Sequence, residues 1–377
     1  MRDAAYAVAV FPGDGTGPEV VREGLKVLDA LAEGGPAPWR TTSYPGGGQY
    51  YLARGKEWEP EAEAAARAAD AIVVGAVGWP GAVLPNGDLA GRALVLGLRE
   101  GLDLYANVRP CRLYPGVTHR ISGAYRTVWE PKNVDLVIVR ENTEDLYTPA
   151  RGRLRRAGET EVAIDTRVVT RRGTERIVRY AYELAGRRGR GAPEDGVRRV
   201  TCIDKSNVLE GCRFFRETFD RVGAEYPELA RDYAYVDAFT QWLVRSPEHY
   251  NVAVAPNMMG DIVTDLAAVL QGGMGFACGA NVGAEHAMFE PVHGSAPKHA
   301  GRNEVNPFAT FFAIEQMLRW LADRHADRGV LAQADRLERA VARTLASGAA
   351  RTYDQGGSTT TSAAGDRVAA AVRQEAA

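Results

Sequence analysis

The residues best suited to chemistry fall into a few compact segments. Asp261 and Asp265, in NMMGDIVTDLA, stand four apart and share one face of an expected helix. Like charges at that spacing repel, so something should compensate them. Hard carboxylate oxygens suit Mg²⁺ or Mn²⁺. A solvated polar face is the plainer reading, but the surrounding helix is apolar. Asp237, in YAYVDAF, follows a separate strand-like run. Lys205, in CIDKSNVLE, stands where a strand ends and a helix begins. A lysine beside a metal or arginines can have its pKa lowered and act as a base. Arg99 in LGLRE, Arg109 in YANVRP and Arg140 in VIVREN read as strand-terminal arginines. Their planar forks suit carboxylates, and three that converged would imply a di- or tricarboxylate. Scattered surface arginines are the bland alternative in a chain this rich in Arg.

Two further segments have the composition of ligand-wrapping loops. Gly13–Glu19 (GDGTGPE) joins an expected strand to an expected helix, and glycines there permit positive φ and close backbone approach to an anion. Its GxGxG spacing departs from the dinucleotide fingerprint, so a plain strand-to-helix turn is an even alternative. Glu290–Pro297 (EPVHGSAP), followed by Lys298, His299 and Asn306, is small-residue backbone of the kind that wraps a nucleotide. A lone His293 is more often structural.

These segments must be held by regular elements. Tyr6–Phe11, Ala71–Gly75, Val134–Val139, Val200–Ile203 and Val252–Ala255 are strand-like. Helical patterns run at about 20–31, 208–222, 259–270, 307–322 and 331–346. This alternation implies an α/β protein with a largely parallel sheet. The Arg-rich stretches 151–156 and 187–190 read as solvated loops, and Gly272–Gly283 as a linker or a tight loop under a ligand. The chain has 377 residues with 46 Lys+Arg against 48 Asp+Glu, a net charge of −2. That length suits two domains or one large one, and the charge balance argues against a nucleic-acid partner. Four cysteines without CxxC spacing read as reduced thiols of a cytoplasmic protein. No apolar run is long enough to span a membrane, and residues 1–10 do not read as a signal peptide.

Taken together, GDGTGPE, LDLYANVRP, VIVRENTEDLY, DKSN, YVDAF, GDIVTDLA and EPVHGSAP resemble, in order, the β-decarboxylating dehydrogenases of the isocitrate/isopropylmalate type. The resemblance implies a two-domain fold with a large mixed, mostly parallel sheet flanked by helices. Residues 1–104 plus 273–377 would form a discontinuous cofactor-binding domain, and 105–272 a substrate and dimerisation domain. It implies a homodimer with shared active sites, Lys205 and Asp237 reaching into the neighbour's cleft. The implied reaction is metal-dependent, NAD(P)⁺-linked oxidative decarboxylation of a 3-substituted (2R)-malate. Lys205 would take the proton of the 2-hydroxyl, and Tyr147 would supply one at C3. Arg99, Arg109, Arg140 and Asn207 would bind substrate, and Asp237, Asp261 and Asp265 would hold Mg²⁺ or Mn²⁺. Thr16, Glu290, His293, Gly294, Ser295, Ala296, Lys298, His299, Asn306 and Tyr353 would bind cofactor. A non-catalytic regulatory subunit is the competing reading, against which the complete set of catalytic residue types counts.

The segment before Arg99 departs from the named branches. Isocitrate enzymes have Ser and Asn where this chain has Ala93 and Val95, and isopropylmalate enzymes have a glutamate where Arg92 stands. Two occupants follow: an anionic C3 substituent held by Arg92, or an apolar one packed on Val95 and Leu96, as for isopropylmalate. RENTEDLY is nearer the isocitrate, D-malate and tartrate branches. For the cofactor, Lys298-His299 replaces the aspartate of NAD-type members and resembles a Lys-Tyr pair of NADP-type ones. Tyr353 points the same way, whereas Gly356-Gly357 resembles the NAD branch. NADP is favoured over NAD.

Overall fold

The structure is a computed structural model that describes residues 5–33 and 37–375. Met1–Ala4, part of the stretch read as no signal peptide, lie outside the described residues. The chain divides into two compact units. The first holds Met1–Leu104, Leu113–Pro131 and Ala268–Ala377; the second holds Tyr105–Arg112 and Lys132–Ala267.

In chain order the first unit begins with β1 (Tyr6–Phe11), α1 (Gly17–Ala32), β2 (Trp39–Ser43), α2 (Gly48–Arg54), α3 (Pro60–Ala68) and β3 (Ala71–Val74). A π-helical turn at Ala93–Gly97 then leads into α4 (Leu98–Gly101). After β4 (Ala106–Arg112) of the second unit comes the first unit's hairpin β5 (His119–Ile121) and β6 (Ala124–Arg126). The second unit continues with β7 (Asp135–Glu141), the hairpin β8 (Arg151–Arg156) and β9 (Glu159–Asp165), and α5 (Arg171–Arg188). It ends with β10 (Arg199–Asp204), α6 (Glu210–Gly223), β11 (Ala230–Tyr235), α7 (Val236–Arg245), β12 (Val252–Ala255) and α8 (Asn257–Leu270). The first unit closes with β13 (Cys278–Val282), β14 (Ala287–Pro291), α9 (Phe308–His325), α10 (Arg328–Ala346) and α11 (Thr361–Glu375).

The main strands are mixed and mostly parallel, with helices flanking them. In the first unit they run β13-β14-β3-β1-β2, parallel except for the β13–β14 pair. In the second they run β11-β10-β12-β7-β4, parallel except for β7–β4. Strands covered on both faces favour apolar residues, as in β3 (AIVV) and β12 (VAVA); β10 is equally buried, but its polar Arg199, Thr201 and Asp204 are hydrogen-bonded. Phe11, Ile72, Val74, Leu94, Leu98, Leu104 and Met288 pack into one core cluster of the first unit. Leu94 and Leu98 thereby anchor the segment that carries Val95, Leu96 and Arg99.

Several expectations change. Residues 113–131, expected with the middle of the chain, group with the first unit, where His119 Nε2 meets Leu270 O at 2.9 Å and Thr118 N donates to Gln355 Oε1 at 2.8 Å. Arg151–Arg156 is not a loop but a strand of an exposed hairpin, paired antiparallel with β9 with a shift of register between Leu154 and Arg155. Arg187 and Arg188 close α5, and Arg188 is buried against Asp135 at 2.9 Å. The Gly-rich segment contains β13, whose small residues are all buried. Arg99 lies on α4 rather than at a strand end, because the π-helical turn intervenes.

Candidate active site

In the second unit, β7, the turn after it and α8 bring an arginine, a tyrosine and two aspartates together. The backbone of Gly260 on α8 lies against Arg140, where a Cβ would come within 2.7 Å of Arg140 Cγ. Arg140 is buried, donates from Nε to Asn257 Oδ1 at 2.9 Å and forms an ion pair with Asp261. Tyr147 donates its hydroxyl to the other oxygen of Asp261 at 2.8 Å, and the Arg140 guanidinium lies 5.4 Å from its ring centre. Burial, helped by that hydrogen bond to an anion, pushes the Tyr147 phenol up to about 12. Burial also raises the Asp265 carboxyl, with Arg109 opposing and Asp261 reinforcing the rise. Arg109, on β4, donates from Nε to Asn107 Oδ1 at 2.6 Å. Asp145, at φ +70, accepts from Met258 N at 2.9 Å and so ties the RENTEDLY segment to the start of α8.

Lys205 and Asp237 form a separate pair in the same unit. Lys205 follows β10, Asp237 opens α7, and their side chains are joined by a salt bridge that holds the Asp237 carboxyl below its ordinary value. Asp204, wholly buried, accepts from Ser206 N at 2.8 Å and from Arg216 Nε at 2.7 Å, which fixes the turn carrying Lys205. Asn207 is exposed in that turn. Among the described residues no three His, Cys, Asp or Glu side chains cluster as metal ligands. Asp237 is therefore not brought to Asp261 and Asp265 within one chain.

In the first unit the two glycine-rich loops meet. Thr16 N and Thr16 Oγ1 both donate to Ser295 O, at 2.9 and 3.2 Å, and Ser295 Oγ donates to Gly78 O. Gly15 has φ +59, and a Cβ there would collide with Ser295 O. Asp14 is wholly buried and accepts from Gly48 N at 2.8 Å, Gln49 N at 2.7 Å and Gly78 N at 2.8 Å. Beyond the loop, Ala296 is left-handed at φ +40, and His293 Nε2 is buried without a hydrogen-bond partner. Burial holds the His293 pKa below its ordinary value. Lys298 is exposed, and His299 stacks on Tyr353 with ring centres 5.3 Å apart while its Nδ1 meets Glu304 at 2.9 Å. Asn306 donates to Asp354 at 3.0 Å.

Two expected partners of different ligands are partners of each other: Arg99 Nη2 donates to Glu290 Oε1 at 2.7 Å, and Asn281 donates to the same oxygen at 2.8 Å. Arg92 heads the π-helical turn, half-exposed, 3.7 Å from Asp88; Val95 packs toward the core and Leu96 is exposed. Asn107, Asn257 and Asp14 were not expected as site residues. All three sit inside the segments singled out, but nothing in those segments reveals which side chains or backbone groups they hold.

The family profile of isocitrate/isopropylmalate dehydrogenases matches residues 7–368. The chain belongs to that family. The 3-isopropylmalate dehydrogenase of Thermobifida fusca is 40% identical over 349 residues, 92% of each chain. That of Corynebacterium efficiens is 41% identical over 369 residues, covering 97% of this chain and 99% of the relative. The solved isocitrate dehydrogenase of Methylococcus capsulatus superposes with a TM-score of 0.84 at 32% identity, covering 98% of this chain and all of the other. A β-decarboxylating dehydrogenase from Thermococcus kodakarensis gives 0.75 at 33% identity, over 98% and 96%. This member is thus a β-decarboxylating dehydrogenase, an oxidoreductase of a family that is in general nicotinamide-linked and metal-dependent. No helix among the described residues is long and apolar enough to cross a membrane.

Proposed function

We propose that the enzyme oxidises and decarboxylates a 3-substituted (2R)-malate with NADP⁺ and Mg²⁺ or Mn²⁺, as a homodimer in the cytoplasm. The observation that carries the reading is the joining of Arg140, Tyr147 and Asp261, with Asp265 one helical turn on. Two carboxylates on one face, one with its pKa raised beside its neighbour, form a donor set that a hard divalent cation would relieve. Asp261 and Asp265 would hold that cation with Asp237 of a second copy. A divalent metal bound there would supply Lewis acidity, and a bound nicotinamide would supply a hydride acceptor. Lys205 takes the 2-hydroxyl proton. Arg99, Arg109 and Arg140 hold carboxylates through their planar forks. Tyr147, protonated at neutral pH, delivers a proton to C3 once CO₂ has left.

The partnerless Nε2 of His293, the left-handed Ala296 and the open surroundings of Gly294 fit a nucleotide held along residues 293–299. Lys298, His299 and Tyr353 favour the 2′-phosphate of NADP over a bare ribose, since a cation offers a 2′-hydroxyl little. The exposed hairpin β8–β9 supports the dimer, because a two-stranded hairpin is marginal alone and Leu154, Val162 and Ile164 lie bare on it. Four free, buried cysteines support a reducing compartment.

For the C3 substituent we favour an anion held by Arg92, whose contact to Asp88 is long and half-exposed. An apolar substituent on Val95 and Leu96 is the second reading, favoured by relatives named for isopropylmalate. Arg92→Ala separates them in a substrate panel. Lost preference for phosphonomethyl- or carboxyl-bearing malates supports the anion, and unchanged selectivity rejects it.

A further inference from the structure

The segment 91–99 carries the residues assigned above to the C3 substituent, yet it begins at a glycine with φ +97 and a π-helical turn, a start that needs an external hold. Its backbone donors do not face solvent alone. Glu57 Oε1 accepts from Gly91 N at 2.6 Å and from Ala93 N at 3.1 Å, the two residues flanking Arg92. A carboxylate at the start of a helical turn satisfies orphan N–H groups and favours the positive end of the peptide dipoles. Bonds to a charged acceptor are about twice as strong as neutral ones.

Glu57 is itself held. Its backbone carbonyl accepts from Gly47 N at 2.8 Å, and Gly46 bridges to Trp58 in antiparallel fashion. The next residues, Gly48 and Gln49, donate to the buried Asp14 of the first glycine-rich loop. Gly91 lies against the same strip: a Cβ on it would come within 3.2 Å of Gly48 N. A continuous run of hydrogen bonds therefore leads from Asp14 through residues 47–49 to Glu57 and on to Gly91 and Ala93.

We infer that Glu57 is a positioning residue for substrate selection: its carboxylate fixes the backbone on both sides of Arg92 and sets where Arg92, Val95 and Leu96 meet the C3 substituent. The inference rests on the reading of segment 91–99 as the C3 reader. Glu57 touches no reacting atom. Its side chain holds the substrate segment and its main chain holds the strip next to Asp14, so removing the side chain loosens the first and leaves the second in place.

Steady-state kinetics on Glu57→Ala and Glu57→Gln, with calorimetric NADP⁺ binding to each, test this. Glu57→Ala raises KM for the preferred hydroxy acid roughly tenfold, the scale of a lost charge-assisted hydrogen bond, and narrows the preference between anionic and apolar C3 substituents. It leaves kcat and the NADP⁺ affinity near wild type. Glu57→Gln keeps an oxygen that can accept both N–H bonds and restores most of the KM. A lowered melting temperature with unchanged KM and selectivity would overturn the inference, as would a glutamine variant as impaired as the alanine one. Arg92→Ala in parallel separates the layers. If it shifts selectivity and Glu57→Ala does not, Glu57 alone is misassigned; if neither does, the reading of segment 91–99 fails.

Discussion

Tyr147 is set to keep its proton. Its hydroxyl donates to Asp261, and burial beside that anion pushes the phenol up to about 12, so it is an acid at neutral pH. Tyr147→Phe removes that acid while leaving the ring over Arg140. Its kcat should fall roughly a hundredfold or more, with KM little changed. A kcat near wild type would remove Tyr147 from the proton-donor role. Asp14 makes a different kind of contribution. Three backbone N–H groups end on one wholly buried carboxylate, and Asp14→Ala strands all three. Each stranded donor costs about 1–3 kcal/mol, so chemical denaturation should show a loss of several kcal/mol. Lys205, Arg140 and Asp261 stood out in the sequence as charged residues in or beside apolar runs, and Tyr147 came only from the family resemblance. The work of Asp14 was not legible, since its donors lie 34, 35 and 64 positions away and are backbone groups that carry no sequence signature. The Arg99–Glu290 pair was hidden likewise, by a separation of 191 residues.

Among the elements, α10 offers a clean test of local physics. Asp327 caps it, accepting from Gly329 N at 3.0 Å and Val330 N at 3.1 Å, and also takes the Tyr6 hydroxyl at 3.0 Å. Desolvation opposes ionisation, but these donors outweigh it and hold the carboxyl below its ordinary value of 3.8. A depressed pKa contributes stability that is present above the unfolded value and lost as pH falls through the folded one. Asp327→Ala should therefore cost about 1 kcal/mol at neutral pH, and the gap to wild type should close in melts taken below pH 3.8. A gap independent of pH would contradict the cap. The hairpin β8–β9 makes the second test. Ile164→Asp puts a charge on its bare apolar face, and light scattering should show dimers giving way to monomers; an intact dimer would remove the hairpin from the interface. Helices such as α6, α8, α9 and α10 were legible from their apolar spacing, and β1, β7 and β12 from continuous apolar runs. The strand β13 was not: CGANV is buried on every residue, but its glycine, alanine and asparagine give neither an alternating nor a continuous strongly apolar signal. The hairpin was misread because its alternating arginines look like any solvated stretch.

For the whole molecule, two compact units must each be built from separated pieces of chain. Strand–helix alternation told the class of fold, but no local pattern tells that residues 113–131 belong with the termini. All four cysteines are buried, and burial pushes the Cys111 and Cys202 thiols well up. A thiol reagent should leave the native protein unlabelled and modify four sites after denaturation. Rapid native labelling would mean that a unit opens under native conditions. Oxidation and loss of CO₂ can be followed in a single assay. Purified enzyme with Mg²⁺ is given NADP⁺ or NAD⁺ and isocitrate, 3-isopropylmalate, D-malate, tartrate or phosphonomethyl malate, while reduced cofactor and CO₂ are counted together. Equal amounts of NADPH and CO₂ are expected from a 3-substituted malate, best with an anionic substituent, together with dependence on the metal. Reduced cofactor without CO₂, or silence with all five acids and both cofactors, would contradict the proposed reaction.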